Sequence, residues 1–233
     1  IMWSAKYPNL SKTIGPTAKL VSILRENPDY ELESRMGSFV NNKFSPCVSR
    51  EYMDMLIDWM QQSNHIKCDE DWREEQDFFF TTGGNHYRTR VTYDTTNMEV
   101  NTETIIKEPI GTVDITSSFY DIRVSLKKEK KVNLENMCVN TDLVRIKQRR
   151  RFTTPCGLWA FDFSMSWSGK TKNDAEKQQA KNDPKFEIEC ELIGSSEYLA
   201  IHDDDEYVAT SMLLKMYDLI DIENSNSLVL NLL

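Results

Sequence analysis

Three short segments of this 233-residue chain place charged residues at alternate positions, two of them charges of a single sign. In Tyr30-Glu31-Leu32-Glu33-Ser34-Arg35-Met36, the period of an extended strand sets Glu31, Glu33 and Arg35 on one side and Tyr30, Leu32 and Met36 on the other. Phe186 to Leu192 repeats the pattern, with Glu187, Glu189 and Glu191 opposite Phe186, Ile188, Cys190 and Leu192. A basic counterpart, VRIKQRRRF, aligns Arg145, Lys147, Arg149 and Arg151. One such strand alone is ordinarily the wet face of a sheet. Rows of carboxylates, however, repel one another unless a cation or basic groups answer them. Two acidic rows offer hard oxygen ligands for Mg²⁺ or Mn²⁺, and a basic row offers donors for phosphate oxygens. If the strands close on themselves, all three rows share one lumen, a polar tunnel able to hold a triphosphate against a divalent ion.

The elements that must position these rows follow from period and punctuation. The first thirty residues, with Pro8, Gly15, Pro16 and Pro28, read as a lead-in carrying one short helix near 17–27. Residues 49–63 place Tyr52, Met55, Leu56, Trp59 and Met60 at helical spacing behind a possible Ser49 cap, so this Met and Trp stripe is core packing. From Asp77 the period becomes two, and Gly83-Gly84-Asn85 reads as the turn of a hairpin. Further strands are expected near 103–110, 118–126, 143–152, 158–167 and 186–193, with the early one at 30–39. Residues 170–185 (KTKNDAEKQQAKNDPK) are polar, end at a proline and read as a long loop. Helical periodicity returns over 203–222, where Asp203-Asp204-Asp205-Glu206 suits a helix N-terminus. The expected class is α+β: a closed antiparallel barrel of about eight strands with helices packed outside. We read one domain, with residues 1–29 as lead-in, 30–193 as barrel and 194–233 as a helical segment.

Charge and composition narrow the function. The net charge of -9 argues against a general binder of DNA, RNA or anionic membranes, and no apolar stretch is long enough to span a bilayer. Yet residues 123–151 hold ten basic against three acidic residues, whereas 197–223 hold eight acids and one Lys. Positive charge is thus focused on one stretch of an acidic chain. Five widely spaced Cys without a C-x-x-C pair suggest reduced thiols, no leader-like apolar core is present, and a soluble, unsecreted, cytoplasmic protein is expected. None of the Cys fits H-C-x₅-R, which removes a cysteine-phosphatase mechanism. SWSGKT lacks the first glycine of a P-loop, K-x-D-G is absent, and His65, His86 and His202 are scattered and receive no role. The aromatic residues fit core positions, so recognition is expected to stop at the triphosphate.

Taken in order, ELESRMG, RVTY, a Lys-containing strand, R-I-K-Q-R and EIECEL resemble the triphosphate tunnel metalloenzymes. Within them the chain is similar to the metal-dependent RNA 5′-triphosphatases of fungal, protozoan and large-DNA-virus capping systems, over about residues 30 to 192. The resemblance implies that Glu31, Glu33 and Glu191 ligate Mg²⁺ or Mn²⁺ and that Glu189 orients the attacking water. It assigns Arg90, Lys107, Arg145, Lys147 and Arg149 to the phosphates, and Glu187 to anchoring a basic side chain. Asp162, Arg123 and Glu129 match supporting positions, while Arg35 could form a tunnel ion pair. The implied reaction removes the γ-phosphate of triphosphate-ended RNA, the first step of mRNA capping, without a covalent intermediate; NTPs are further substrates. The implied partners are triphosphate-ended RNA and covalently linked guanylyltransferase and methyltransferase domains of a larger capping enzyme, in a host cytoplasm or virion if the chain is viral. Two alternatives stand beside it: a small-molecule triphosphatase of the same fold, and a non-catalytic module that binds RNA 5′ ends or polyphosphate.

Overall fold

The computed structural model describes residues 7, 9–63, 66–68, 72–94, 96, 98–117, 119–133 and 140–222. The elements in chain order are α1 (Leu10–Glu26), β1 (Glu31–Val40), β2 (Lys43–Ser45), α2 (Arg50–Gln62), β3 (Lys67–Cys68), β4 (Arg73–Thr82), β5 (Asn85–Tyr93) and β6 (Glu99–Ile115). They continue with β7 (Asp121–Lys131), β8 (Leu143–Thr153), β9 (Trp159–Gly169), α3 (Lys172–Ala180), β10 (Lys185–Leu192), α4 (Ser195–Ile201) and α5 (Asp205–Ile220).

Eight strands pair antiparallel in the order β10-β9-β8-β4-β5-β6-β7-β1, and β1 pairs back onto β10, closing the barrel. The two short strands are additions, β2 beside β1 and β3 beside β8. Alternation decides which way each side chain faces. Leu32 and Met36 of β1, Val124 and Leu126 of β7, Phe161 and Phe163 of β9, and Ile188 and Cys190 of β10 are fully buried on the outer face. There they meet α1, α2, α4 and α5 in one apolar core, so the barrel's hydrophobic layer lies outside its wall. The inward positions are left to charge.

Local chemistry sets the element ends. Ser49 accepts the Tyr52 amide at the start of α2, and Asp204 accepts the Glu206 and Tyr207 amides at the start of α5. The acidic run at 203–206 therefore caps a helix, as expected. Gly83 and Gly84 both take positive φ, 56° and 78°, the conformation a two-residue hairpin turn demands.

Several boundaries differ from the sequence reading. Residues 170–185 are not a loop: Thr171 and Asp174 form a reciprocal capping box that starts α3, and Ala175 packs with Val144, Ile146 and Trp167. That single buried alanine supplies the face which the polar composition hid. Helix α1 begins seven residues earlier than expected, with Pro16 inside it. The strand expected at 118–126 runs over 121–131 instead, Ser118 lying outside the described residues. Strand β6 is longer than expected; the helix expected over 203–222 forms over 205–220, and a further short helix at 195–201 precedes it. His65, Cys138 and residues 223–233 also lie outside the described residues.

Candidate active site

The inward rows enclose a cavity of about 290 Å³. Glu31, Glu33 and Arg35 enter it from β1, Glu187, Glu189 and Glu191 from β10, and Arg145, Lys147 and Arg149 from β8. Arg90 comes from β5, Lys107 from β6 and Asp162 from β9. Room for these long side chains is made by small inward residues: Ser125, Ser164 and Ser166 stand in register with charged neighbours and are themselves buried.

Most of the cations are already answered. Arg90 donates to both oxygens of Asp77, at 2.7 and 2.8 Å, and lies 3.1 Å from Glu75. Arg149 bonds to Glu75 and lies 3.2 Å from Asp162, while Arg151 bridges Asp162 at 2.6 Å and Glu191 at 2.8 Å. Arg35 joins Glu33 to Glu189, each at 3.0 Å, across the seam where β1 meets β10. Lys107 holds Glu31 at 2.7 Å and Glu129 at 2.5 Å, and Lys127 holds Glu33.

Two cations stand apart. Lys147, only 5% exposed, makes no hydrogen bond or ion pair with a described residue. Arg145 likewise has no carboxylate partner among the described residues; its guanidinium lies over the Phe79 ring, 5.3 Å from the centroid, with Nε buried and unpartnered. A buried, unanswered cation is costly, and an incoming anion removes that cost.

This electrostatic field separates the carboxylates. Burial alone would raise the Glu189 carboxyl, but Arg35, Lys147, Lys127 and Lys107 outweigh it and hold the group well below the usual range. Burial instead pushes Glu191 up to about 7, with Glu31, Asp162 and Glu189 adding to the shift and Arg151 opposing it. Glu33 is raised for the same first reason, countered by Arg35 and Lys127 and reinforced by Glu189 and Glu31. Asp77 is held low because Arg90, Arg88 and Lys147 together exceed its burial penalty. One carboxylate is thereby kept ionised beside two that favour a proton or a cation.

A tunnel lined by two acidic rows, a basic row and two unanswered cations is suited to phosphoryl chemistry, and the family follows from the sequence match that covers it. Residues 12–214 match the model of the family described as mRNA capping enzyme, beta chain, the mRNA triphosphatases. The chain belongs to this family. It is accordingly a hydrolase, an RNA 5′-triphosphatase of mRNA capping. The barrel resembles the Pct1 RNA triphosphatase of S. pombe, with a TM-score of 0.67, 14% identity and coverage of 92% of this chain and 93% of that one. It also resembles the capping enzyme triphosphatase of Mimivirus, with a TM-score of 0.59, 11% identity and coverage of 90% and 97%. At these identities the likeness concerns the fold. A search of curated protein sequences finds no significant match.

The mRNA triphosphatase family is in general metal-dependent. Among the described residues, no three Asp, Glu, His or Cys side chains are gathered around a common point as the chains now lie. Their backbone placement nevertheless fits a hard cation. Glu33 stands directly opposite Glu191 across the β1–β10 ladder, and Glu31 is the next inward residue on β1. Two of these three carboxyls are raised by burial, so a divalent ion would relieve them once they turn from Lys107, Lys127 and Arg151.

Of the residues singled out from sequence, Arg123 does not reach the cavity. Although in register with Arg35, it sits at the barrel's end, paired with Asp114 at 2.6 Å and lying over the Phe44 ring. Glu129 is opposite Lys107 in the ladder and holds it at a second opening of the tunnel. Glu187 lines the cavity without an ion pair to a described residue; Asp162 and Glu75 do the anchoring of Arg149. Sequence reasoning missed Glu75, Asp77, Arg88 and Lys127. For Arg88 the signal was present, since it shares a face with Arg90 two residues on. Glu75 and Asp77 were masked by Phe78-Phe79-Phe80, which made both faces of β4 look apolar.

Proposed function

We propose that this mRNA triphosphatase binds the triphosphate end of RNA inside the barrel, with Lys147 and Arg145 as the first cations to receive phosphate oxygens. The observation that carries this reading is that these two residues of the basic row face the cavity without an ion pair to a described residue, Arg145 with a buried, unpartnered Nε. Arg90, Lys107 and Arg149 complete the seat, exchanging part of their carboxylate bonding for phosphate. Glu75, Asp77 and Asp162 keep their guanidinium groups aimed inward, and Glu187 adds acceptor capacity beside them. Glu129 positions Lys107, and Arg123 braces the barrel end through Asp114.

Glu189, held ionised, accepts a hydrogen bond from the attacking water and orients it toward the terminal phosphorus. The water's oxygen bonds to that phosphorus, the bond to the β–γ bridging oxygen breaks, and ppRNA and inorganic phosphate leave. Charge gathering on the phosphoryl oxygens and on the departing β-phosphate is met by the surrounding Arg and Lys. Glu31, Glu33 and Glu191 would hold Mg²⁺ or Mn²⁺, which when bound polarises a phosphoryl oxygen and acidifies water. No side chain forms a covalent bond, in keeping with the absence of a suitably placed nucleophilic thiol.

The same seat accepts the triphosphate of free NTPs. Linked guanylyltransferase and methyltransferase domains are the natural next enzymes for a ppRNA product; the Mimivirus relative is described as a trifunctional mRNA capping enzyme. Residues 30–193 serve as the catalytic barrel of one domain whose flanks pack outside it. No described helix is long and apolar enough to cross a membrane, and the described cysteines are free, which agrees with a reducing, cytoplasmic setting or a virion.

The experiment is release of phosphate from γ-labelled triphosphate-ended RNA, with and without Mg²⁺ or Mn²⁺, by the native protein, Glu31→Ala and Glu191→Ala. Release that requires the metal and disappears in both folded variants supports the assignment. Retained release in Glu191→Ala would remove that residue from the ligand set.

A further inference from the structure

One aromatic side chain of β4, Phe79, faces the cavity, with the exposed His86 beside it on β5, while Tyr87 stands in register with Phe80 on the outer face. They flank the Gly83-Gly84 turn between β4 and β5. The second opening of the tunnel, where Glu31 and Glu191 meet Asp29, Glu103 and Glu129, includes none of the three. That opening has an aromatic side chain of its own, Tyr30.

The Phe79 end is built. Phe79 follows Glu75 and Asp77 on the inward face of β4 and carries the Arg145 guanidinium over its ring. Arg145 keeps a buried Nε without a partner. A guanidinium laid on an aromatic ring offers a π face to a base and donors to the adjoining phosphate or ribose.

Direction follows from β8. Arg151, bonded to Glu191, and Arg145 are six residues apart on this strand, about 20 Å along it. A terminal phosphate near the carboxylates therefore leaves the remaining phosphates and the nucleoside pointing toward Arg145 and Phe79. The opposite opening balances five acids, Asp29, Glu103 and Glu129 among them, with five bases, and so exerts no net pull on a polyanion.

We propose that Phe79, with Arg145 laid over it, forms the seat of the first nucleoside of the triphosphate-ended substrate. This rests on the reading that the terminal phosphate lies beside Glu31 and Glu191. Recognition then extends one nucleoside beyond the triphosphate. Stacking is tolerant of base identity, so the seat favours the presence of a base over a particular base.

The test compares KM for a short triphosphate-ended RNA with the Ki of inorganic tripolyphosphate as competitor, in the native protein and in Phe79→Leu. The ratio of KM to Ki is expected to rise about tenfold in the variant, the scale of one stacked base. ATP, the free-nucleotide source of the same chemistry, is expected to weaken by the same factor, because the seat reaches one nucleoside only. A substrate-side arm avoids any folding defect: RNA with an abasic first nucleotide should bind the native protein about tenfold more weakly than ordinary RNA. Equal binding of abasic and ordinary RNA overturns the seat, as does an unchanged ratio in Phe79→Leu or a loss confined to RNA and absent with ATP. Failure of the underlying site reading looks different: the native protein then shows no metal-dependent release of γ-phosphate at all.

Discussion

Replacing Glu191 by Gln gives the sharpest test of the electrostatics. Burial raises this carboxyl from an ordinary 4.5 to about 7 despite Arg151 at 2.8 Å. The folded protein therefore binds this proton more tightly than the unfolded chain does, and folding is weakened wherever the proton must be surrendered. At 1.36 kcal/mol per pH unit, the shift corresponds to about 3 kcal/mol. That is an upper figure, because the side chain keeps 27% of its surface in water. The contribution is fully present below about pH 4.5 and is lost as pH rises through about 7. A Gln side chain has no proton to lose. Urea unfolding in a chelator between pH 4.5 and 8.5 should show the native protein losing up to about 3 kcal/mol relative to Glu191→Gln across that window. Mg²⁺ or Mn²⁺ should restore stability to the native protein at the alkaline end, because the ion takes the place of the proton. A stability difference between the two proteins that stays constant with pH in the chelator would refute the reasoning.

Other substitutions separate charges that hold the barrel from charges that wait for substrate. Asp162→Ala leaves Arg149 and Arg151 under-answered in the wall and should cost about 3–5 kcal/mol, read as a fall in the urea midpoint. Lys147→Met removes a cation whose field helps hold buried Glu189 and Asp77 ionised, so γ-phosphate release should fall by about 10²–10³ and the urea midpoint should fall at neutral pH; unchanged release would remove Lys147 from the phosphate seat. Thr171→Ala removes the capping box of α3 and should cost about 1 kcal/mol, with faster amide exchange confined to 172–180.

The barrel was legible where alternation was clean. Glu31 to Arg35 and Glu187 to Glu191 have buried apolar partners at every other position, so period two assigned their faces without ambiguity. The closed eight-strand barrel was expected from the polar inner rows, whereas the strand order was not legible, because β4 inserts between β5 and β8 and nothing in a one-dimensional pattern says which edges meet. Helix α3 was hidden for a related reason: its hydrophobic face is little more than Ala175, and its start depends on one side-chain exchange between Thr171 and Asp174. Arg123 was placed by motif and faces the right way, yet lies too far along β7 to reach the cavity; facing is read from period, whereas depth depends on stagger. Phe79 was hidden by its neighbours Phe78 and Phe80, which belong to the other face.

The seam between β1 and β10 brings together residues some 156 positions apart through only three register pairs, one of which sets Glu33 directly against Glu191. Such a distant contact forms late in folding, since its loop-closure entropy must be met before anything rewards it. Here the last contact also places like charges face to face. Until it forms, the carboxylates of the two edges belong to different parts of the chain, and a partly folded molecule has no place to gather them. If Glu31, Glu33 and Glu191 take a divalent ion, that ion would act on the same contact that completes the barrel.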